Sequence, residues 1–171
     1  MECFIRELSI QIKFLLLILK IKGVSLLKIL ISNQQKKVKL NFSKIKKEIY
    51  RTLENLNCHN SELSILFTSD DHIKELNKTY RKKNRPTDVL AFSQKEGNSI
   101  EINTRILGDV VISIDTAKRQ ADELRHSVEK EIYILLIHGI LHLLGFDHAK
   151  SKQDLLKMQF KEKELLALIS C

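Results

Sequence analysis

Residues 127–148, SVEKEIYILLIHGILHLLGFDH, decide how the rest of the chain is read. Val128, Ile132, Leu135, Leu136, Ile137, Ile140, Leu141, Leu143 and Leu144 leave no wide polar face, the pattern of a helix buried on most sides. Ser127 stands where a capping side chain opens such a helix. Gly145 stands where a residue without Cβ closes it in the left-handed conformation. His138 and His142 are set into this apolar surface four residues apart. That spacing puts their Cβ atoms ~5–6 Å apart on one helix face, so both imidazoles can meet one ion at ~2.0–2.1 Å. Beyond the turn at Gly145, His148 can swing back as a third ligand. Three neutral imidazoles leave a fourth position open, which is the arrangement of a catalytic zinc and not of a closed structural one. A lone histidine here would be read as a satisfied core or surface residue. An H-x3-H-x5-H array on an apolar helix is read as a metal site, because burying unpaired imidazoles is costly and one metal satisfies them together.

The spacing also matches the His-Glu-x-x-His-x-x-Gly-x-x-His pattern of zinc peptidases, with one difference: position 139 is Gly. The missing Glu is the general base of peptide hydrolysis, so the ligand set is kept while the reaction it serves has changed.

Outward from this helix, strands and helices mix without strict βαβ alternation. Residues 27–32 (LLKILI), 62–68 (ELSILFT), 88–93 (DVLAFS) and 108–114 (GDVVISI) read as strands. Helices are expected over 44–57, from Asp70 through Tyr80, from Asp115 to about 125, and from a Ser151–Asp154 capping box to about 168. Ser43, Asp70 and Asp115 are the expected caps of the first three. Residues 94–106 are polar and read as a mobile loop. The expected architecture is α+β, a small mixed sheet of about four strands packed with helices.

At 171 residues the chain suits one well-cored domain, and 43% hydrophobic with 29% charged residues excludes disordered and collagen-like classes. Cys3, Cys58 and Cys171 form no CxxC pair, which argues against a disulfide framework and for a reducing, cytoplasmic setting. The net charge of +8 sits in the N-terminal third, where residues 1–51 hold 12 Lys and Arg against 3 Asp and Glu. A second cluster comprises Lys78, Arg81, Lys82, Lys83 and Arg85. This distribution suits a polyanionic partner such as nucleic acid, or equally a solvated lysine face. Phe14–Leu19 (FLLLIL) is too short for a membrane span of ~20 residues, so no membrane role is expected. Residues 1–26 read as an atypical N-terminal extension, either disordered or preceding the true translation start, and 27–171 as the domain.

The motif HGILHLLGFDH at 138–148 resembles that of the YbeY family of bacterial rRNA-processing endoribonucleases. So do Asn77, Tyr80 and Arg81 followed by Pro86–Phe92 (PTDVLAF), and Leu107–Ile114. Ala91 and Phe146 stand where the family usually has Ser and Tyr. The resemblance implies a zincin-like fold, one Zn2+ held by His138, His142 and His148, and Arg81 and His138 as catalytic residues. It further implies single-strand-specific RNA cleavage in 16S rRNA 3′-end maturation and ribosome quality control. The partners it implies are the ribosome and its 16S precursor RNA, with ribosomal proteins or small GTPases besides. An arginine fits that chemistry, because a guanidinium pairs bidentately with phosphate and can stabilise charge building on phosphorus. Lys82, Lys83 and Arg85 are expected to track the RNA backbone without base preference. Asp147 is expected either to orient a ligand imidazole or to fix the turn, and Asp88 and Asp109 to act as turn or supporting residues. His59, His72 and His126 are expected at the surface. Two rival readings are a zincin-type peptidase lacking its Glu base and a non-enzymatic ribosome-binding factor stapled by zinc.

Overall fold

The computed structural model describes residues 27–94, 106–147 and 151–169. The expected N-terminal extension, residues 95–105 of the expected 94–106 loop, and His148 lie outside the described residues, while Ile106 already belongs to a strand. The elements run β1 (Lys28–Asn33), α1 (Phe42–Asn55), β2 (Glu62–Thr68), α2 (Asp70–Arg81), β3 (Val89–Ser93), β4 (Ile106–Ser113), α3 (Ile114–Leu124), α4 (Val128–Leu143) and α5 (Lys152–Ala167). The sheet order is β1-β2-β4-β3. β1, β2 and β4 are parallel, and β3 pairs antiparallel along the outside of β4. The α+β expectation with a four-stranded mixed sheet therefore holds.

Alternation along the strands divides the apolar residues between two faces. Leu63, Ile65, Phe67, Val110 and Ile112 point into the main core with Ile45, Ile49 and Leu53 of α1 and the apolar flank of α4. The opposite face carries a smaller cluster, Leu90 and Val111 under Ile73 of α2, with Leu66, Leu76 and Phe92 around it. The parallel register shifts where Glu62 pairs with Ile106 and Leu63 with Gly108. Gly108 is required there: its φ is +139°, and a Cβ would collide with the Phe92 carbonyl oxygen of the neighbouring strand.

Three helix starts differ from the sequence reading. Asn41, not Ser43, caps α1 by accepting the Lys44 N–H at 3.0 Å. Ser69, not Asp70, caps α2, and Ser113, not Asp115, caps α3. In the last two cases a Ser precedes the Asp, and the hydroxyl takes the cap. The carboxylates of Asp70 and Asp115 then fall in the first turn, where they favour the helix dipole and are released to bind elsewhere. Ser127 and Ser151 cap α4 and α5 as expected.

A candidate metal and phosphate site

Helix α4 carries the site because it lies against β3 and β4 and is covered from other sides by α3 and α5. Gly139 sets how close it comes. A Cβ at this position would stand 2.8 Å from Val110 Cγ1 and 3.3 Å from Val89 Cγ2. The position that bears the peptidase glutamate in related motifs is here a contact face with the sheet, so a long side chain has no room. The end of α4 is equally specific. Gly145, at φ +89°, donates to the His142 carbonyl at 3.0 Å, and Phe146 donates to the Leu141 carbonyl at 3.0 Å, a Schellman closure. The space around Gly145 is open, so it is the backbone conformation that calls for glycine. This closure turns the chain back toward the face that bears the histidines.

His138 and His142 are half-buried on that face. Their rings meet edge to face at 4.6 Å between centroids, and their Nε2 atoms are 3.0 Å apart. Two nitrogens bound to one tetrahedral ion at ~2.0–2.1 Å are roughly 3.3 Å apart, so the pair is already near ligating separation. Glu162 of α5 accepts a hydrogen bond from His138 Nδ1 at 2.8 Å. A carboxylate on Nδ1 fixes the tautomer that presents the Nε2 lone pair outward, and it raises the ligand's basicity. The residues present thus fit a divalent metal that accepts nitrogen ligands. The sequence reading missed Glu162, which lies 20 residues beyond His142 in a Lys/Glu-rich helix and has no local pattern to mark it.

Both histidines open into a cavity of about 690 Å³ whose wall includes Arg81, Lys83, Asp88, Ser93 and Asp147. Arg81 is the last residue of α2 and is exposed. Asn77, 3% exposed, holds the loop that follows: its side-chain amide donates to the Arg85 carbonyl at 2.8 Å, and its own carbonyl accepts the Lys83 N–H at 3.2 Å. Lys82 takes the left-handed conformation at the helix end, φ 59°. Asp88 anchors the start of β3, accepting from Val89 N–H at 2.8 Å, Thr87 Oγ1 at 3.0 Å and Gln120 Nε2 at 3.0 Å. It is a turn residue at the cavity wall.

Of the remaining sequence candidates, Asp109 lies on β4 beside a groove on the other sheet face, away from the histidines. His59 is exposed as expected. His72 and His126 are not simple surface residues. His72 Nδ1 bonds Thr68 Oγ1 at 2.9 Å, and His126 Nε2 lies 3.0 Å from the buried Glu131 carboxylate.

The family model of Endoribonuclease YbeY matches residues 30–170. The chain belongs to the YbeY family. Among its curated relatives, Endoribonuclease YbeY of Syntrophus aciditrophicus is 42% identical over 142 residues, 82% of this chain and 89% of that protein. The Aquifex aeolicus protein of the same name is 49% identical over 135 residues, 79% and 88% of the two chains. The solution structure of a Thermotoga maritima protein superposes with a TM-score of 0.60 at 27% identity, covering 82% of this chain and 88% of that one. This YbeY chain therefore has a physical role for several of its motif residues: Asn77 holds the arginine loop, Gly139 seats the helix, and Gly145 turns it. Among the described residues no helix is long and apolar enough to cross a membrane.

Proposed function

We propose that this endoribonuclease of the YbeY family cuts single-stranded RNA in rRNA processing, at the 3′ end of 16S rRNA and in ribosome quality control. In this reading it holds one Zn2+ through His138, His142 and His148. The observation that carries it is the convergence of two Nε2 atoms in a cavity whose wall also bears Arg81. A zinc ion held there would supply Lewis-acid chemistry and activation of water near neutral pH. The chain's own residues do the rest. Arg81 binds the scissile phosphate through its planar fork and stabilises the charge that grows on its oxygens. Lys83, on the same wall, adds positive charge along the backbone. His138 is held by Glu162 in the tautomer that ligates. The peptidase alternative is disfavoured by the packing of Gly139.

The test joins elemental analysis of the purified protein to cleavage of a 16S precursor RNA. The expected result is about one zinc per chain and cutting abolished by chelator, with His142→Ala losing both metal and cutting. Metal-free protein that cuts at full rate, or His142→Ala that keeps both, would overturn the reading. Products ending in 2′,3′-cyclic phosphate would identify the RNA 2′-OH as the attacking group.

A further inference from the structure

The last two residues of α2 face different cavities. Arg81 lines the histidine cavity, whereas Tyr80 lines an open groove of about 670 Å³ on the other face of the sheet. The strand between the two is β3, an edge strand. Its side chains divide in the same way, Val89 and Ala91 toward the histidines and Phe92 toward the groove. The floor of the groove is apolar, with Leu30, Leu66 and Val111, and Leu76 lies alongside. Tyr80 is 65% exposed at its rim. Its ring is braced against Phe92 edge to face, at 5.1 Å between centroids and 66° between planes. An exposed aromatic whose orientation is set by a second ring has a free π surface and little rotamer freedom left to lose on binding.

The charge around this ring selects the occupant. Lys78, Arg81, Lys82 and Lys83 surround it in sequence, and among the described residues Lys78, Arg81 and Lys83 are in no ion pair. Asp109 is the carboxylate that lines the groove. An apolar protein segment would leave those cations without counter-charge. A polyanion with flat apolar rings satisfies both features together. Resting on the nuclease reading above, we propose that Tyr80, backed by Phe92, is a stacking platform for an unpaired RNA base adjoining the phosphate at Arg81. The RNA strand then passes over the outer edge of β3, with its backbone on the basic loop and one base in the groove. Stacking tolerates any base, so the platform selects single-stranded over paired RNA without reading sequence.

The experiment measures binding of a labelled 2′-O-methyl RNA of about twelve nucleotides to the metal-loaded protein, beside the same oligonucleotide with abasic positions. Tyr80→Ala and Tyr80→Leu are expected to weaken binding of the base-bearing strand by about tenfold, and Tyr80→Phe to leave it near wild type. The abasic strand is expected to bind all four proteins alike. Tyr80 is exposed, so the variants should fold, and their melting curves check this. Unchanged affinity in Tyr80→Ala, or an equal loss on the abasic strand, overturns the proposal. Cleavage of natural RNA, run in parallel, separates the two readings. Normal cutting with an indifferent Tyr80 removes only the platform, whereas a wild-type protein that never cuts removes the nuclease.

Discussion

Asp70 and His138 each stand at the centre of a polar cluster, and the clusters differ in what they bring together. At Asp70, the hydroxyls of Ser113 and Thr116 donate to Oδ1 at 2.5 and 2.7 Å, and Arg119 reaches Oδ2 at 2.8 Å. Asp115 accepts the Asp70 backbone N–H at 3.1 Å and pairs with Lys37 at 2.6 Å. Each charge meets its opposite, and the result ties the start of α2 to the start of α3. At His138, Glu162 meets Nδ1 at 2.8 Å, and the Nε2 atoms of His138 and His142 face one another at 3.0 Å. A divalent metal bound between them would use both lone pairs. A cluster that closes on itself holds the fold, whereas one that brings two acceptors together is built for a guest.

The largest effect that would sharpen this contrast is expected at Glu162. Glu162→Ala removes the partner of His138 Nδ1 without altering a proposed ligand, and should weaken metal affinity by about 10–100-fold. Competition with a chromophoric chelator measures it, and Glu162→Gln, which still offers an acceptor oxygen, should recover part of the loss. Asp70→Ala should do the reverse. It strands two hydroxyls, one of them on the fully buried Ser113, at a cost of about 2–3 kcal/mol. For a chain of this length that lowers Tm by roughly 5–10 °C, with metal content unchanged. If Asp70→Ala lost metal as readily as Glu162→Ala, or Glu162→Ala lost only stability, the division between a closed and an open cluster would fail.

How much of this was visible in the sequence follows from the range of each interaction. The buried helix, its caps at Ser127 and Gly145 and the pairing of His138 with His142 all lie within a few residues of one another, so helical periodicity exposes them. The strands are legible by composition, but their order is not, because β4 slips between β2 and β3 through pairings fixed only by the whole fold. The caps at Ser69 and Ser113 were misread because a Ser followed by an Asp offers two capping oxygens. Only tertiary contacts show that the Asp side chains bind elsewhere. Gly139 marked an absent base in the sequence, and its cause lies in Val110 on another element. Glu162 was invisible for the same reason: its partner is 24 residues away on a different helix.

The smallest effect tests whether burial alone separates two carboxylates of opposite behaviour. Burial pushes the Asp70 carboxyl up, but hydrogen bonds from Ser113, Thr116 and Arg119 outweigh it and hold the group below 3.8. Glu131, at the start of α4, is pushed above 4.5 by burial, with His126 opposing and Asp88 adding to the rise. Its contact with His126 at 3.0 Å lacks hydrogen-bond alignment. The signs follow from which state holds more protons. Asp70 contributes stability that is present above its unfolded pKa and lost as pH falls through the lowered folded value. Folded Glu131 keeps its proton where the unfolded chain has released it, so its contribution falls as pH rises from about 4.5. Glu131→Gln cannot ionise, and its stability relative to wild type should therefore grow as pH is raised from about 4 toward 7. Urea midpoints of both proteins, measured in chelator so that the metal site contributes to neither, read that difference directly. A difference that stayed flat across the range would mean that His126 compensates Glu131 as fully as Ser113 and Thr116 compensate Asp70. The start of α4 would then be a second closed cluster.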